Sequence, residues 1–251
     1  MVLLKRFFTY YDLTAGRKGG KIFLQYGLLK KREYTIPVET VNALKIQQTM
    51  IGRIFRRYHA SIECIGVGDE NNETAQLTLS LPYEEMLERV ANLLPEYEIN
   101  TLEKSRPVPK KALCHALCGN IYLILAALIS IGIIEGVVTD LALKEALEKI
   151  WIGFVLLGFV LRQIRILLMM KTERLGTGER FTAFTTGGFG KNITILEYNK
   201  LQYLEYTKSP LTHWTGLYDG MVHILSKSSV IRSPMMTEEE IEYMKRKCME
   251  L

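Results

Sequence analysis

A run of 23 residues without Asp, Glu, Lys or Arg, from Ala112 to Ile134, is the feature that most constrains this chain. As an α-helix at 1.5 Å per residue, the run reaches about 34 Å, enough to cross a hydrocarbon layer of roughly 30 Å. A helix buried in a soluble core rarely keeps every face apolar over about six turns. The run therefore predicts a transmembrane helix.

A second apolar stretch completes a predicted hairpin. Only Ile150 to Leu161 is uncharged, which spans about 18 Å, so the helix is expected to extend from about Leu141 to Met170. Arg162 and Arg165 then share one face at intramembrane or interfacial depth, where their guanidinium groups can extend to the headgroups. The sequence thus predicts a transmembrane helical hairpin over residues 112–170.

The charges that flank the hairpin predict its orientation. Four cations precede the first span and four lie at the end of the second, whereas the short connection holds Glu135 and Asp140. By the positive-inside bias, both flanks and both termini face the cytoplasm of a multi-pass membrane protein. The flanking cations are Lys104, Arg106, Lys110 and Lys111 before the hairpin, and Arg162, Arg165, Lys171 and Arg174 at its end.

The segments on either side of the hairpin are both rich in strand signals followed by one helix. Turns between the strands are predicted at Gly16, Gly19-Gly20, Asn71-Asn72 and Gly187-Gly188. A shared order at an offset of about 160 positions favours a duplicated β-domain over coincidence. The predicted strands are 7–11, 21–29, 33–38, 41–46, 60–65 and 75–81, then 181–185, 192–196, 201–207, 221–225 and 229–232; the helices begin at Pro82 and after the capping box Thr237/Glu240.

Several of these motifs resemble bacterial pleckstrin-homology-like (PH-like) membrane proteins of the YdbS/YdbT type. The similar runs are Tyr34-Thr35-Ile36-Pro37-Val38-Glu39, Lys45-Ile46-Gln47-Gln48-Thr49 and Leu79-Ser80-Leu81-Pro82. The chain looks like the C-terminal portion of a YdbT-like protein. The resemblance implies an α+β membrane protein in which two small PH-like β-sandwich or barrel domains, each ending in a helix, are separated by the hairpin. The expected domains are residues 1–100 and 171–251, with a basic linker at 101–111.

The motifs that resemble catalytic or metal-binding sites are incomplete. The glycine-rich run 15–22 nearly matches a phosphate-binding loop, but Ile22 replaces the metal-binding Ser/Thr and a strand follows. Cys114, His115 and Cys118 lack the further ligands of a zinc site. No nucleophile elbow is present. We therefore expect no enzyme activity, cofactor or metal.

The basic cluster is the candidate site. Residues 1–60 hold twelve Lys/Arg against three acidic residues, in a chain of net charge +5. This excess predicts an anionic partner, and tethering beside a bilayer favours lipid over nucleic acid. A solvated positive face that only assists topology is the alternative. The candidate headgroup-binding residues are Lys30, Lys31, Arg32, Arg53, Arg56 and Arg57.

Two functions remain open at this stage. The first is a non-enzymatic membrane protein whose cytoplasmic PH-like domains bind the membrane surface or other proteins, with a role in envelope stress or antimicrobial-peptide resistance implied by the resemblance. The second is a subunit of a peptide or bacteriocin export or immunity complex, with Arg162 and Arg165 pairing with another subunit. Two helices cannot enclose a transport pathway alone, so another membrane protein or a homo-oligomer is expected as partner.

Overall fold

A β-rich unit forms the N-terminal part of the protein. The computed structural model describes residues 8–64, 74–97, 99, 104–137, 141–224 and 230–250. The helix that closes the unit buries Met86 and Val90, four residues apart on one face, as its apolar spacing predicts. The elements of this unit are β1 (Thr14–Lys18), β2 (Lys21–Tyr26), β3 (Arg32–Pro37), β4 (Val41–Gln48), α1 (Met50–Ile54), β5 (Tyr58–Cys64), β6 (Thr74–Leu81) and α2 (Tyr83–Leu93).

Two long antiparallel helices follow, α3 (Ala112–Val137) and α4 (Leu141–Thr172), preceded by the short strand β7 (Arg106–Pro107). The expectation of two helices at these positions is confirmed. Both are long and apolar enough to cross a membrane, and only 6% of the apolar window of each is buried. A core helix of a soluble protein would be mostly buried, so these surfaces require an apolar medium or a partner.

A second β-rich unit repeats the order of the first. A single turn of 3₁₀ helix separates the third and fourth strands in both units, at Val38–Thr40 and at Tyr198–Lys200. These turns lie 160 positions apart, the offset expected from the sequence. The elements of the second unit are β8 (Arg174–Thr177), β9 (Phe181–Gly187), β10 (Lys191–Glu197), β11 (Leu201–Thr207), α5 (Pro210–Thr215), β12 (Leu217–Ile224), β13 (Val230–Arg232), β14 (Met236–Thr237) and α6 (Glu238–Glu250).

The two units share one sheet, which the sequence does not predict. β4 pairs antiparallel with β10, and the strand order β6-β5-β4-β10-β9-β8-β7 runs through both units. In this register Ile46 lies opposite Ile193, and Leu44 lies opposite Ile195. Because β3 joins β2 in a different sheet, the free edge of β4 is available, and β10 satisfies its backbone groups. The units are separated along the chain but joined in space.

The hydrophobic core crosses the same junction. Phe181 and Ile193 of the second unit are buried in the core cluster of the first unit, whereas Ala43 of β4 belongs to the cluster of the second. The Tyr97 ring lies 5.1 Å from the Phe181 ring, measured between centroids. A first unit cut away at residue 100 would therefore lose part of its core and expose an edge strand.

Some local expectations differ from the structure. A strand over 7–11 is wrong for the described residues: Phe8 and Thr9 are helical, and Tyr10 packs on Tyr26 with 5.4 Å between ring centroids. The glycine-rich run forms the β1–β2 hairpin, with Gly19 and Gly20 at positive φ in its turn. The expected turn at 71–72, the loop acid at position 140 and the strand ends at 65, 225 and 229 lie outside the described residues.

The expected linker is partly a strand. β7 pairs with β8 at the edge of the shared sheet. Arg106 donates two hydrogen bonds to the Glu240 carboxylate of α6, and the same carboxylate accepts from the Thr237 backbone N–H at 2.8 Å. Glu240, which caps the N-terminus of α6, therefore also holds the segment before α3 against α6.

Candidate functional site

Helix α1 presents an unusual apolar surface. Its large apolar side chains, and that of the residue after it, are 60–71% exposed, although the strand before α1 is mostly buried. The helix is well formed, since the Thr49 hydroxyl accepts a hydrogen bond from the Gly52 N–H at 3.0 Å as its N-cap. Apolar side chains grouped in this way mark an interaction surface. The exposed group, named the α1 patch here, consists of Met50, Ile51, Ile54 and Phe55.

Arg53 fixes the α1 patch beside the end of α4. Its Nη1 donates to the Gly188 carbonyl at 2.8 Å, and its Nη2 lies 3.4 Å from the Thr172 hydroxyl. Gly52 permits the tight turn, because a Cβ there would meet the Arg57 carbonyl oxygen at 2.7 Å. Arg53, a predicted headgroup contact, is thus a tether between α1 and the last turn of α4.

Cations follow α1 in the chain and line a neighbouring cleft. Arg56 and Arg57 are exposed, and Arg57 donates to the Ser80 carbonyl at 3.3 Å. A cleft of about 700 Å³ next to them is lined by Lys171, Arg174 and Lys191, among others. Burial, with the nearby Arg174 and Arg53 charges, lowers the pKa of Lys191. The local field around this cleft is therefore positive.

The turn between β2 and β3 carries the other half of the basic cluster. Lys30 and Lys31 are exposed there, together with Leu29, which is 85% exposed. Gly27 makes the turn: its φ is 115°, and a Cβ would meet the Lys30 carbonyl oxygen at 2.2 Å. Arg32 begins β3 and is half-buried.

This turn lies at the same end of the first unit as α1. The Gly27 N–H donates to the Tyr11 carbonyl at 2.8 Å. Tyr11 in turn lines one cavity of about 630 Å³ with Thr49, the N-cap of α1. Tyr11 therefore connects the β2–β3 turn with the N-terminus of α1.

The second unit has a corresponding helix against the start of α3. α5 is closed at its N-terminus by a capping box between Ser209 and Thr212. It projects Trp214, which is 73% exposed, and its Thr215 hydroxyl lies 2.7 Å from His115 Nε2. Sequence reasoning missed this element. Trp214, at the position equivalent to Ile54, was the signal available.

Arg162 links the two long helices. Its Nε donates to Asn120 Oδ1 at 2.6 Å, and its Nη2 lies 3.4 Å from the Ala116 carbonyl. Gly119 leaves room for the guanidinium, since a Cβ there would lie 2.1 Å from Nη2. Arg165 instead packs its aliphatic stem on Gly188. Arg162 thus has a partner within the chain.

The residues considered for metal binding do not converge. Cys114 and Cys118 are free thiols on α3, and His115 contacts Thr215. Among the residues that the structure describes, no group of three or more His, Cys, Asp or Glu side chains is arranged to hold a metal ion.

Comparisons with known proteins agree with the geometry. Residues 1–97 match the family described as "Bacterial PH domain". The UPF0699 transmembrane protein YdbT of Bacillus subtilis (strain 168) is 28% identical over 109 residues, which cover 42% of this chain and 22% of YdbT. The match therefore spans about a fifth of the length of that relative. No solved structure matches the chain significantly. With two apolar helices, these findings support a membrane location, and they show that residues 1–97 are similar to bacterial PH domains and that part of the chain is similar to YdbT.

Proposed function

We propose that this protein is a non-enzymatic membrane protein whose two β-rich units, the second also PH-like, rest on the inner surface of the bilayer. The observation that carries the proposal is the α1 patch, an exposed apolar group that is followed in the chain by exposed cations and tethered to the end of α4. Apolar side chains that enter the interface, with cations at the headgroups, are typical of surface-binding elements.

The contacts between α3 and α4 support a specific depth in the bilayer. Trp151 Nε1 donates to Ser130 Oγ at 2.8 Å, and Arg162 bonds Asn120, so the uncharged run 112–134 of α3 lies beside approximately 147–169 of α4. A layer of roughly 30 Å accommodates about 20 residues of each helix. The inner edge of this layer then falls near the end of α4, next to Lys171 and the α1 patch.

Both short helices would therefore meet the headgroup layer. α1 is held at the end of α4, and α5 at the start of α3, with Ile54 and Trp214 at equivalent positions. Tryptophan is enriched at membrane interfaces. The large side chains of the α1 patch are each worth roughly 1–2 kcal/mol on transfer from water at this exposure. Nearby cations contribute about 1 kcal/mol each with anionic lipid.

The remaining parts of the proposal concern orientation and partners. By the positive-inside bias, the cations that flank the hairpin support an orientation with both termini and both units in the cytoplasm. The lipid bilayer is the proposed partner, together with another membrane protein or a second copy of this chain, since two helices expose most of their surface. A role in envelope stress or peptide resistance stays a prediction.

A quenching experiment tests contact between the α1 patch and lipid. A genetically encoded fluorescent amino acid replaces Ile54 in the full chain, which is then placed in nanodiscs containing phosphatidylglycerol with brominated acyl chains. The matched control carries the same amino acid in place of Lys18, at the β1–β2 turn, the opposite end of β2 from the basic turn. We expect bromine to quench the fluorophore at 54 but not at 18.

A second arm tests the cations. Combining Lys30→Glu with Lys31→Glu should reduce quenching at position 54 in anionic nanodiscs and leave it unchanged in nanodiscs of phosphatidylcholine alone, because only the electrostatic part is removed. Equal quenching at 54 and 18 would show that the α1 patch does not enter the bilayer.

A further inference from the structure

An open cleft lies between the base of the long helices and the second β-rich unit. It has a volume of about 430 Å³. One wall is apolar and comes from Ile166 and Met169 of α4. The polar side chains that line it include Arg162, Arg165, Arg232, Asp219, His115 and Thr207.

The lining of the cleft is cationic. Among the described residues, the lining holds three arginines and one carboxylate, Asp219, which lies 3.6 Å from the Arg232 Nε. The buried Glu173 carboxyl, which is not part of the lining, also interacts with Arg232 and Arg165. Arg165 has no carboxylate within ion-pair distance among the residues that the structure describes. With histidine neutral, the lining carries a net charge of +2.

The arginines are held in place by the fold. Arg162 is anchored by Asn120, and Arg165 lies on Gly188 with its Cγ 3.0 Å from where a Cβ would stand. The two side chains project from adjacent turns of α4. Arg232 lines the same cleft from β13. The guanidinium groups thus converge from two elements.

We propose that this cleft binds a phosphate group, either on a phospholipid headgroup or as a free phosphate. Guanidinium groups bind phosphate oxygens in a bidentate way, and the exposed Thr207 hydroxyl adds a neutral donor. The apolar wall accommodates the glycerol and upper acyl carbons of a lipid. The site is distinct from the α1 patch and involves none of the six cations of the basic cluster.

Binding is tested on the full chain in detergent. Short-chain phosphatidylglycerol and inorganic phosphate are titrated separately, with calorimetry to measure affinity. We expect Arg165→Gln to weaken binding by about tenfold or more, as for a lost charge-assisted hydrogen bond. Arg246→Gln, which removes an exposed cation of α6, is the matched control and should change it little.

Asp219→Asn should change the binding affinity in the opposite direction to Arg165→Gln. Removal of the only lining carboxylate frees Arg232 and should tighten binding, whereas damage to the fold would weaken it. Binding of the lipid alone assigns a headgroup site, and binding of inorganic phosphate as well assigns a general phosphate site. Absence of saturable binding for both probes, equal effects of Arg165→Gln and Arg246→Gln, or weaker binding by Asp219→Asn would overturn the proposal. Because detergent replaces the bilayer, these outcomes do not depend on insertion of the α1 patch.

Discussion

Glu173 should make the stability of this protein depend on pH. The residue follows α4 directly and is only 7% exposed, with its backbone carbonyl accepting from Val108 N–H at 3.3 Å. Burial raises the pKa of its carboxyl group to about 7, while the neighbouring Arg232 and Arg165 favour the charged form and Asp219 opposes it. Burial therefore outweighs the two arginines.

The sign and the size of the effect follow from that pKa. In the unfolded chain the carboxyl releases its proton near its ordinary value of 4.5. Between this value and about 7, the folded state holds a proton that the unfolded chain has released. The contribution of Glu173 to the free energy of unfolding is therefore fully present below pH 4.5 and is lost as the pH rises to 7. The difference is worth roughly 3 kcal/mol. For a chain of this size, that corresponds to roughly 6–12 °C in melting temperature.

Glu173→Gln replaces the neutral acid with a neutral amide of similar shape. The variant and the wild type should melt at similar temperatures at pH 5, and the variant should melt at a higher temperature at pH 8. Differential scanning fluorimetry on the intrinsic tryptophans measures both, in detergent. Glu239→Gln, on the exposed face of α6, is the control and should follow the wild type. Parallel pH profiles for Glu173→Gln and the wild type would refute the reasoning.

Two further substitutions test the contacts described above. Asn120→Ala should destabilise the protein by about 1.5–3 kcal/mol, because Arg162 loses its side-chain partner; thermal melting in detergent measures the loss, and Asn199→Ala, at an exposed position, should melt like the wild type. Gly27→Ala should destabilise by at least about 1 kcal/mol, because φ is 115° and the new Cβ meets the Lys30 carbonyl oxygen. Gly16→Ala is its control, since nothing lies within 4 Å of a Cβ there; equal melting of the two glycine variants would contradict the strain argument.

Local sequence patterns predicted the long helices and most strands. The uncharged run 112–134 and the expected helix 141–170 became α3 and α4 with small changes at their ends. The amphipathic spacing that begins at Pro82 became α2. These predictions succeed because side-chain periodicity within one element is set by neighbours in sequence.

The candidate site was predicted only in part. The cations from Lys30 to Arg57 were identified as one basic cluster, and their binding of headgroups stays a prediction. Local sequence could not show that Met50, Ile51 and Ile54 remain exposed, because apolar residues after a strand are usually buried.

The sequence by itself determined where the chain is apolar, where it is basic and in which order strands and helices follow. Tertiary structure alone decided that β4 pairs with β10, that Arg53 bonds Gly188 across 135 positions and that three arginines surround one cleft. The physical reason is the range of the interactions. Element formation depends on residues a few positions apart, whereas edge pairing and convergent charges depend on contacts between distant segments, which only the folded chain brings together.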